Sequence, residues 1–541
     1  MNLGLYFHTL RHLRAIQFYG RISHRFVKPK PNQSPSPQLR TQIVDWVQSP
    51  YVPQSLMDST RFLFLNESHE ISNKADWDKP EISKLWRYNL HYFEDLVAVN
   101  SKSRNAWHQN IMDRWIDENP PGFGTGWEPY PLSIRIVNWI KYSIANRQLL
   151  SANQLASLAV QIRMLTQRLE WHLLGNHLLA NAKALVFAGL YFKGPEADFW
   201  RNRGLKILAN QLPEQILPDG GHYECSPMYH SLVLTDLLDL INLYAAFEYK
   251  PLPLWRSLAA RMGGWLASMT HPDGGLSFFN DSAFGIAPSL KDLIAYADRL
   301  YITFDTAGAH PKISGYKQLE IAGALLIVDV APIGPDFLPG HAHADTLSFE
   351  FSLGGRRLFV NSGTSIYGTG VERERQRDTA SHNTVKLDGV NSTEVWHGFR
   401  VAKRAYPFDV TIGEIGTIAA SHNGYWRLKG SPTHRRSWSL SEGQLNISDQ
   451  VTGSGCHQIQ IFFYLHPDWK AVASGSNEFQ LINTTGISAE INLDPILNWR
   501  TEASTWHPYF GVTKENLCII GEHTCNLPVH FNTRVEWPCE F

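Results

Sequence analysis

The sequence predicts an α+β multidomain protein in which a helical domain precedes an antiparallel β-sandwich. Two observations predict it. Apolar residues recur at three- and four-residue intervals from about residue 80 to residue 310, and after about residue 315 the interval becomes two. The two patterns occur in succession and not in alternation, which separates an α domain from a β domain and argues against a parallel α/β sheet. The 541 residues suffice for two to four domains at ~150 residues each. With 43% hydrophobic and 18% charged residues, the chain has the apolar surface that folding requires.

Residues 1–38 form the first segment. MNLGLYFHTLRHLRAIQFYGRISHRFVKPK holds Arg11, Arg14, Arg21, Arg25, Lys28 and Lys30 and no acid. Leu3, Phe7, Leu10, Leu13 and Phe18 predict a basic amphipathic helix ahead of the Pro- and Ser-rich PKPNQSPSP. Docking of this helix on its own domain or on a partner is favoured over contact with an anionic membrane surface. Basic residues interrupt every apolar run, so the segment does not read as a signal peptide. Cys225, Cys456, Cys518, Cys525 and Cys539 are scattered, without a CxxC pair. The expected location is cytoplasmic or membrane-peripheral, with the periplasm as alternative.

Residues 39–315 carry the helical pattern, clearest in QLASLAVQIRMLTQRLEWHLL and LVLTDLLDLINLYAAF. Two loops echo each other, PDGGHYECS from Pro218 and PDGGLSFFN from Pro272. That repetition suggests stacked helical hairpins, as an array or a toroid, with loops gathered on one face. Residues 316–541 contain ALLIVDV, TLSFEFSL, RSWSLSEGQLNISDQV and IQIFFYLH, which read as strands of a large antiparallel sandwich. A cleft between the domains is the place to seek a site. The near balance of 49 basic and 50 acidic residues removes the positive field of a nucleic-acid binder, so no nucleic-acid partner is expected.

Four segments carry candidate chemistry. In GNHLLANAKAL, Asn176 and His177 stand at a helix start, either as a plain N-cap with a bystander or as a donor-rich pocket for a carboxylate. HYECSPMYHSLVLTDLL places His222, Tyr223, Glu224, Tyr229 and His230 before and within the first turns of another helix. These groups either hydrogen-bond at a buried helix start or transfer protons near neutral pH. GHAHADTLSFEF puts His341 and His343 on one face of a starting strand. With Asn361 and His382 from neighbouring strands they outline a candidate zinc site. The run around Arg373, Arg375 and Arg377 is either a solvated loop face or the lining of an anionic-substrate cleft. Walker, Rossmann, GxSxG and HExxH motifs are absent, which weakens NTPase, dehydrogenase, α/β-hydrolase and zincin readings.

Taken in this order, GNHLLANAKAL, the Asp-Gly loop into HYECSPMYH, GHAHADTLSFEF and SHNTV resemble the heparinase II/III family of polysaccharide lyases over roughly residues 80–440. The resemblance implies an incomplete (α/α) toroid followed by the sandwich, and β-elimination at a uronic acid of an acidic polysaccharide. It implies that Asn176 and His177 neutralise the substrate carboxylate, that Tyr229 serves as base, acid or both, and that His341 is a second catalytic or substrate-contacting residue. Glu224, His230, Tyr367 and Arg377 are the candidate substrate-binding residues. A structural zinc held by His343, His382 and an intervening aspartate is also implied. Asn361 occupies the aspartate position, and its neutral amide is a poorer ligand, so the metal is expected weakly held or absent. No organic cofactor is expected, and the oligomeric state is not legible. The alternatives are a non-catalytic glycan-binding or assembly protein, and a glycoside hydrolase using two of Asp219, Glu224, Asp273 and Asp281.

Overall fold

A computed structural model describes residues 3–247, 249–306, 313–413 and 416–538. Cys539 lies outside the described residues; Cys225, Cys456, Cys518 and Cys525 are free thiols. Two short helices, Leu3–Leu10 and Ala15–Phe26, come first. A hairpin of Arg61–Phe64 and Glu67–Glu70 follows, a β element that the helical reading of residues 39–315 did not include. Its strands are too short to show a period, and its turn at Leu65 and Asn66 takes left-handed angles of 53° and 62° without a glycine to advertise it.

The helical half contains, among others, Lys84–Tyr92, Asn105–Glu118, Pro129–Asn146, Ala152–Gln167, Gly175–Tyr191, Pro195–Gln215, Pro227–Ala246, Pro253–Ser268 and Leu290–Arg299. Proline opens four of them, at Pro129, Pro195, Pro227 and Pro253, where the missing N–H would have had no intrahelical partner. Ser151 with Gln154 closes a capping box, and Ser226 accepts from the Tyr229 amide. Their inner faces fuse into one apolar core that includes Trp86, Trp115, Trp139, Leu185, Leu238 and Trp255. The echoing loops fold alike. The amide of Leu217 donates to the Gly221 carbonyl at 2.8 Å and that of His271 to the Gly275 carbonyl at 2.9 Å, so each turn reverses the chain after a helix.

Within this core one carboxylate joins three helices and a fourth. Asp239 Oδ2 accepts from Lys141 Nζ at 3.0 Å and Lys183 Nζ at 2.7 Å, and its Oδ1 accepts from the Tyr296 hydroxyl at 3.0 Å. Burial opposes ionisation, but the two ammonium groups win and hold the carboxyl below its ordinary range.

The second half, among the described residues, builds three larger antiparallel sheets over a shared core, beside a two-stranded ribbon of Val395–Trp396 and Arg400–Val401. Strands Pro407–Gly413, Thr417–His422, Thr433–Ser441, Gln444–Thr452, Val529–Glu536, Ser488–Leu493, Glu478–Asn483 and Trp469–Ala473 are hydrogen-bonded in that spatial order. Four-stranded sheets are formed by Asn498–Trp506, Lys514–Asn526, Cys456–Tyr464 and Val385–Leu387, and by Tyr316–Ile321, Ala324–Asp329, Phe349–Leu353 and Arg356–Phe359. Strict alternation along Thr433–Ser441 buries His434, Arg436, Trp438 and Leu440. Leu326, Phe351, Trp438, Ile461 and Phe531, drawn from all three sheets, pack into one cluster.

Asp239→Ala strands Lys141 and weakens the pairing of Lys183, and is expected to lower stability by about 3–5 kcal/mol, read as a shift of the denaturant midpoint. Because the folded carboxyl titrates below its unfolded value, the stabilisation is present above ~pH 4 and lost as the pH falls through the depressed value. A variant within about 0.5 kcal/mol of the wild type would show that the lysines find other partners.

Candidate active site

The two echoing turns deliver the site. The first leads into Glu224 and the helix bearing Tyr229, the second into Asp281, and the sandwich supplies a loop with His341 and His343, then Tyr367 and the short helix that carries Arg373. His341 and His343 precede the strand Phe349–Leu353 and stand on irregular backbone, not on a strand face. They still converge, because both reach the same carboxylate.

That carboxylate is Asp281, fully buried. Its Oδ2 lies 2.9 Å from His341 Nδ1 and 2.7 Å from Arg373 Nη2, and its Oδ1 lies 2.9 Å from His343 Nε2, with Arg373 Nη1 completing a bidentate pair. Burial works to raise the Asp281 pKa, yet Arg373 and the hydrogen bonds drive it well below the ordinary range. An ionised acceptor here fixes the tautomer of His341: Nδ1 carries the proton and Nε2 is left as a base.

His341 lines the cleft with Tyr229, whose ring stacks on it at 3.8 Å. The Tyr229 hydroxyl is 3.0 Å from the Tyr367 hydroxyl. Burial is the largest cause and the charge of Asp281 adds to it, raising both phenols far above their ordinary value, so both are neutral acids near pH 7. Glu224 Oε2 is 3.6 Å from His341 Nε2 and has no hydrogen-bond partner of its own, while Oε1 accepts from the Asn176 amide at 3.4 Å. Burial raises the Glu224 pKa.

Asn176 and His177 lie inside the first turn of Gly175–Tyr191, and Leu174 occupies the cap position without a side-chain cap. The plain N-cap reading of Asn176 is therefore corrected. The turn depends on Gly175, with a left-handed φ of 53°; a β-carbon there would meet Leu338 at 2.5 Å and Glu224 Oε1 at 2.7 Å. His177 Nδ1 is 3.1 Å from Glu170 Oε1, and Asn181 steadies the other Glu170 oxygen at 3.0 Å. Burial disfavours the imidazolium of His177, but Glu170 outweighs it and the pKa is raised. A partly exposed imidazole with a raised pKa thus stands in the first turn of a helix beside the Asn176 backbone amide, an arrangement whose chemistry suits an anion.

The expected zinc ligands meet, but not as a ligand set. His343 Nδ1 faces His382 Nε2 at 3.3 Å, and Asn361 Oδ1 approaches the opposite nitrogen of His382, Nδ1, at 3.2 Å. Among the described residues no three His, Cys, Asp or Glu side chains converge on a metal position. The buried Asn361 Nδ2 has no hydrogen-bond partner among the described residues. Turning that amide over would give a directed chain in which Asn361 donates to His382, His382 to His343 and His343 to Asp281. The donors present fit this hydrogen-bonded chain and do not fit zinc.

Two of the candidate binding residues are structural. His230 is buried, stacked on Trp265 at 4.4 Å, with Nε2 on the Met262 carbonyl at 2.9 Å. Arg377 spends its guanidinium on the carbonyls of Ala342 at 2.9 Å and Gly398 at 2.7 Å. The cleft arginine is Arg373, one helical turn earlier on Val371–Gln376. Of the carboxylates considered for hydrolysis, Asp219 accepts from Ser314, Asp273 pairs with Arg357 and Asp281 pairs with Arg373, whereas Glu224 keeps an oxygen that accepts no hydrogen bond among the described residues.

Two family models match the chain, Heparinase II/III N-terminus over residues 15–301 and Heparinase II/III-like, C-terminal over residues 306–530. A heparin-sulfate lyase of Bacteroides stercoris is 26% identical over 316 residues, 54% of this chain and 46% of that protein. The chain thus spans about half the length of that curated relative. FtsZ-localized protein C of Caulobacter vibrioides is 26% identical over 438 residues, 75% of this chain and 74% of the relative. A solved heparinase III superposes with a TM-score of 0.65 at 19% identity, covering 86% of this chain and 81% of that one, which bears on the fold alone.

Glu170→Gln removes the charge that raises the His177 pKa, so an NMR titration of His177 is expected to move to lower pH. An unmoved titration would assign the raised value to another group.

Proposed function

Because the chain belongs to the heparinase II/III family, we propose that it is a lyase that cleaves a uronic-acid-containing acidic polysaccharide by β-elimination, in the synthesis or turnover of an exopolysaccharide. The observation that carries this reading is the pairing of His341, its Nε2 freed as a base by Asp281, with the neutral phenol of Tyr229 stacked against it.

A proton α to an ionised carboxylate is too weakly acidic for direct removal, so donors must first hold the charge that develops on the carboxylate. Asn176 and the His177 imidazolium supply those donors at the helix start. His341 Nε2 takes the C5 proton, the electron pair forms the C4–C5 double bond, and the C4–O4 bond breaks. Tyr229 donates its proton to the departing O4, and Tyr367, 3.0 Å away, holds the phenolate that remains until a proton returns. The raised phenol pKa favours Tyr229 as the acid and leaves base chemistry to the imidazole. Glu224, beside both Asn176 and His341, is placed to meet a sugar hydroxyl.

A second reading keeps the fold as a non-catalytic glycan-binding or assembly protein. It is favoured by the relative named for its localisation with FtsZ, which aligns over three-quarters of the chain.

The test incubates the purified chain with uronic-acid polymers and follows ultraviolet absorbance of the conjugated C4–C5 double bond. A rise is expected on at least one polymer, reduced ~10²- to 10³-fold or more in Tyr229→Phe and in His341→Ala with binding retained. Bound polymer with no absorbance change would move the assignment to the binding protein, and cleavage without the double bond would indicate hydrolysis.

A further inference from the structure

The helix Ala15–Phe26 is attached to the protein by its polar side. Gln17 is buried and donates Nε2 to the Phe337 carbonyl at 3.1 Å. Gly20 backs so closely onto His172 that a β-carbon would lie 2.8 Å from its backbone nitrogen. His24 stacks on His172 at 4.4 Å, with Arg168 Nη2 at 3.0 Å. Residues 17, 20 and 24 form one helical stripe. The opposite stripe is apolar and faces outward: Phe18 is 42% exposed, Tyr19 71%, Ile22 58% and Phe26 74%. The preceding helix repeats the arrangement, with Tyr6 and Thr9 turned to Trp396 while Leu3 and Phe7 are exposed.

A helix on a water-soluble surface normally turns its apolar stripe to the core. The inversion is paired with charge: Arg11, Arg21, Arg25, Lys28 and Lys30, on and beside this helix, are all exposed, and the first acid in the sequence is Asp45. We propose that this face docks on an anionic lipid bilayer, the helix lying in the interfacial plane with Phe18, Ile22 and Phe26 in the acyl boundary and the arginines among the phosphates. The basic rim selects this occupant over a second copy, which would bring like charge against like, and the apolar stripe selects it over a soluble polyanion, which would need only the arginines. No helix among the described residues is long and apolar enough to cross a membrane, which fits a contact that stays at the surface. The proposal does not depend on turnover in the cleft.

The full chain is floated with vesicles of phosphatidylcholine alone and of phosphatidylcholine mixed with phosphatidylglycerol. It is expected to float with the mixed vesicles at low salt, to be released at high salt, and to ignore the neutral ones. Phe18→Glu with Ile22→Glu, both on the solvent side, should reduce the bound fraction about tenfold or more, with circular dichroism and melting unchanged. Failure of the wild type to float at low salt overturns the proposal, as does equal flotation of the double variant. A wild-type dimer that the double variant converts to monomer, without flotation of either, would overturn it in favour of a second copy.

Discussion

The cleft is organised around one buried anion. Asp281 is removed from water, a cost that stands only because Arg373, His341 and His343 replace its lost hydration with directed, partly charged hydrogen bonds. Its partners come from the other half of the molecule, so the carboxylate is also one of the joints between the domains, with Asp273–Arg357 another. The tautomer of His341, the placement of its ring on Tyr229 and the orientation of the His343–His382 chain all follow from the charge on this residue.

Burial then distributes the proton inventory. Tyr229, Tyr367 and Glu224 have raised pKa values with burial as the leading cause, while His177 is raised by its bond to Glu170 in spite of burial. The result is a cleft with an imidazole of raised pKa and an amide at one end, protonated phenols at the other and the oriented ring of His341 between them. Such separation of roles arises from environment, since the same residue types elsewhere in the chain are plain core groups. His230, the residue after Tyr229, is the example: its nitrogens are consumed by backbone and its ring by Trp265.

Much of this was legible in the sequence. The change of period separates the domains, and the segments around Asn176, Tyr229 and His341 announce themselves by the density of polar aromatic and titratable groups. What stayed hidden depends on residues distant along the chain. Asp281 read as one of several loop carboxylates, because its partners lie 60 to 92 positions away. The echo of PDGG was the available signal, since each copy precedes a cleft carboxyl. The arginine run was visible, but choosing among Arg373, Arg375 and Arg377 required knowing that the segment coils into Val371–Gln376, which sends Arg373 to Asp281 and Arg375 outward to Glu372. His341 and His343 were placed on one face for the wrong reason, for it is a shared acceptor, not strand geometry, that unites them.

The order of strands in the large sheet bears on when the cleft comes into being. Val529–Glu536 is inserted between Gln444–Thr452 and Ser488–Leu493, so the two halves of that sheet have no common neighbour until residue 536 has been made. Arg436, in the same sheet and paired with Asp449, clamps the carbonyls of Leu347 at 3.0 Å and Asn383 at 2.6 Å, beside the histidine loops. A ribosome therefore releases the helical half, with Asn176, His177 and Tyr229 ready, long before the surface opposite them can close. The strand that joins the two halves of the large sheet is thus among the last to be synthesised, although it sits at the middle of the sheet.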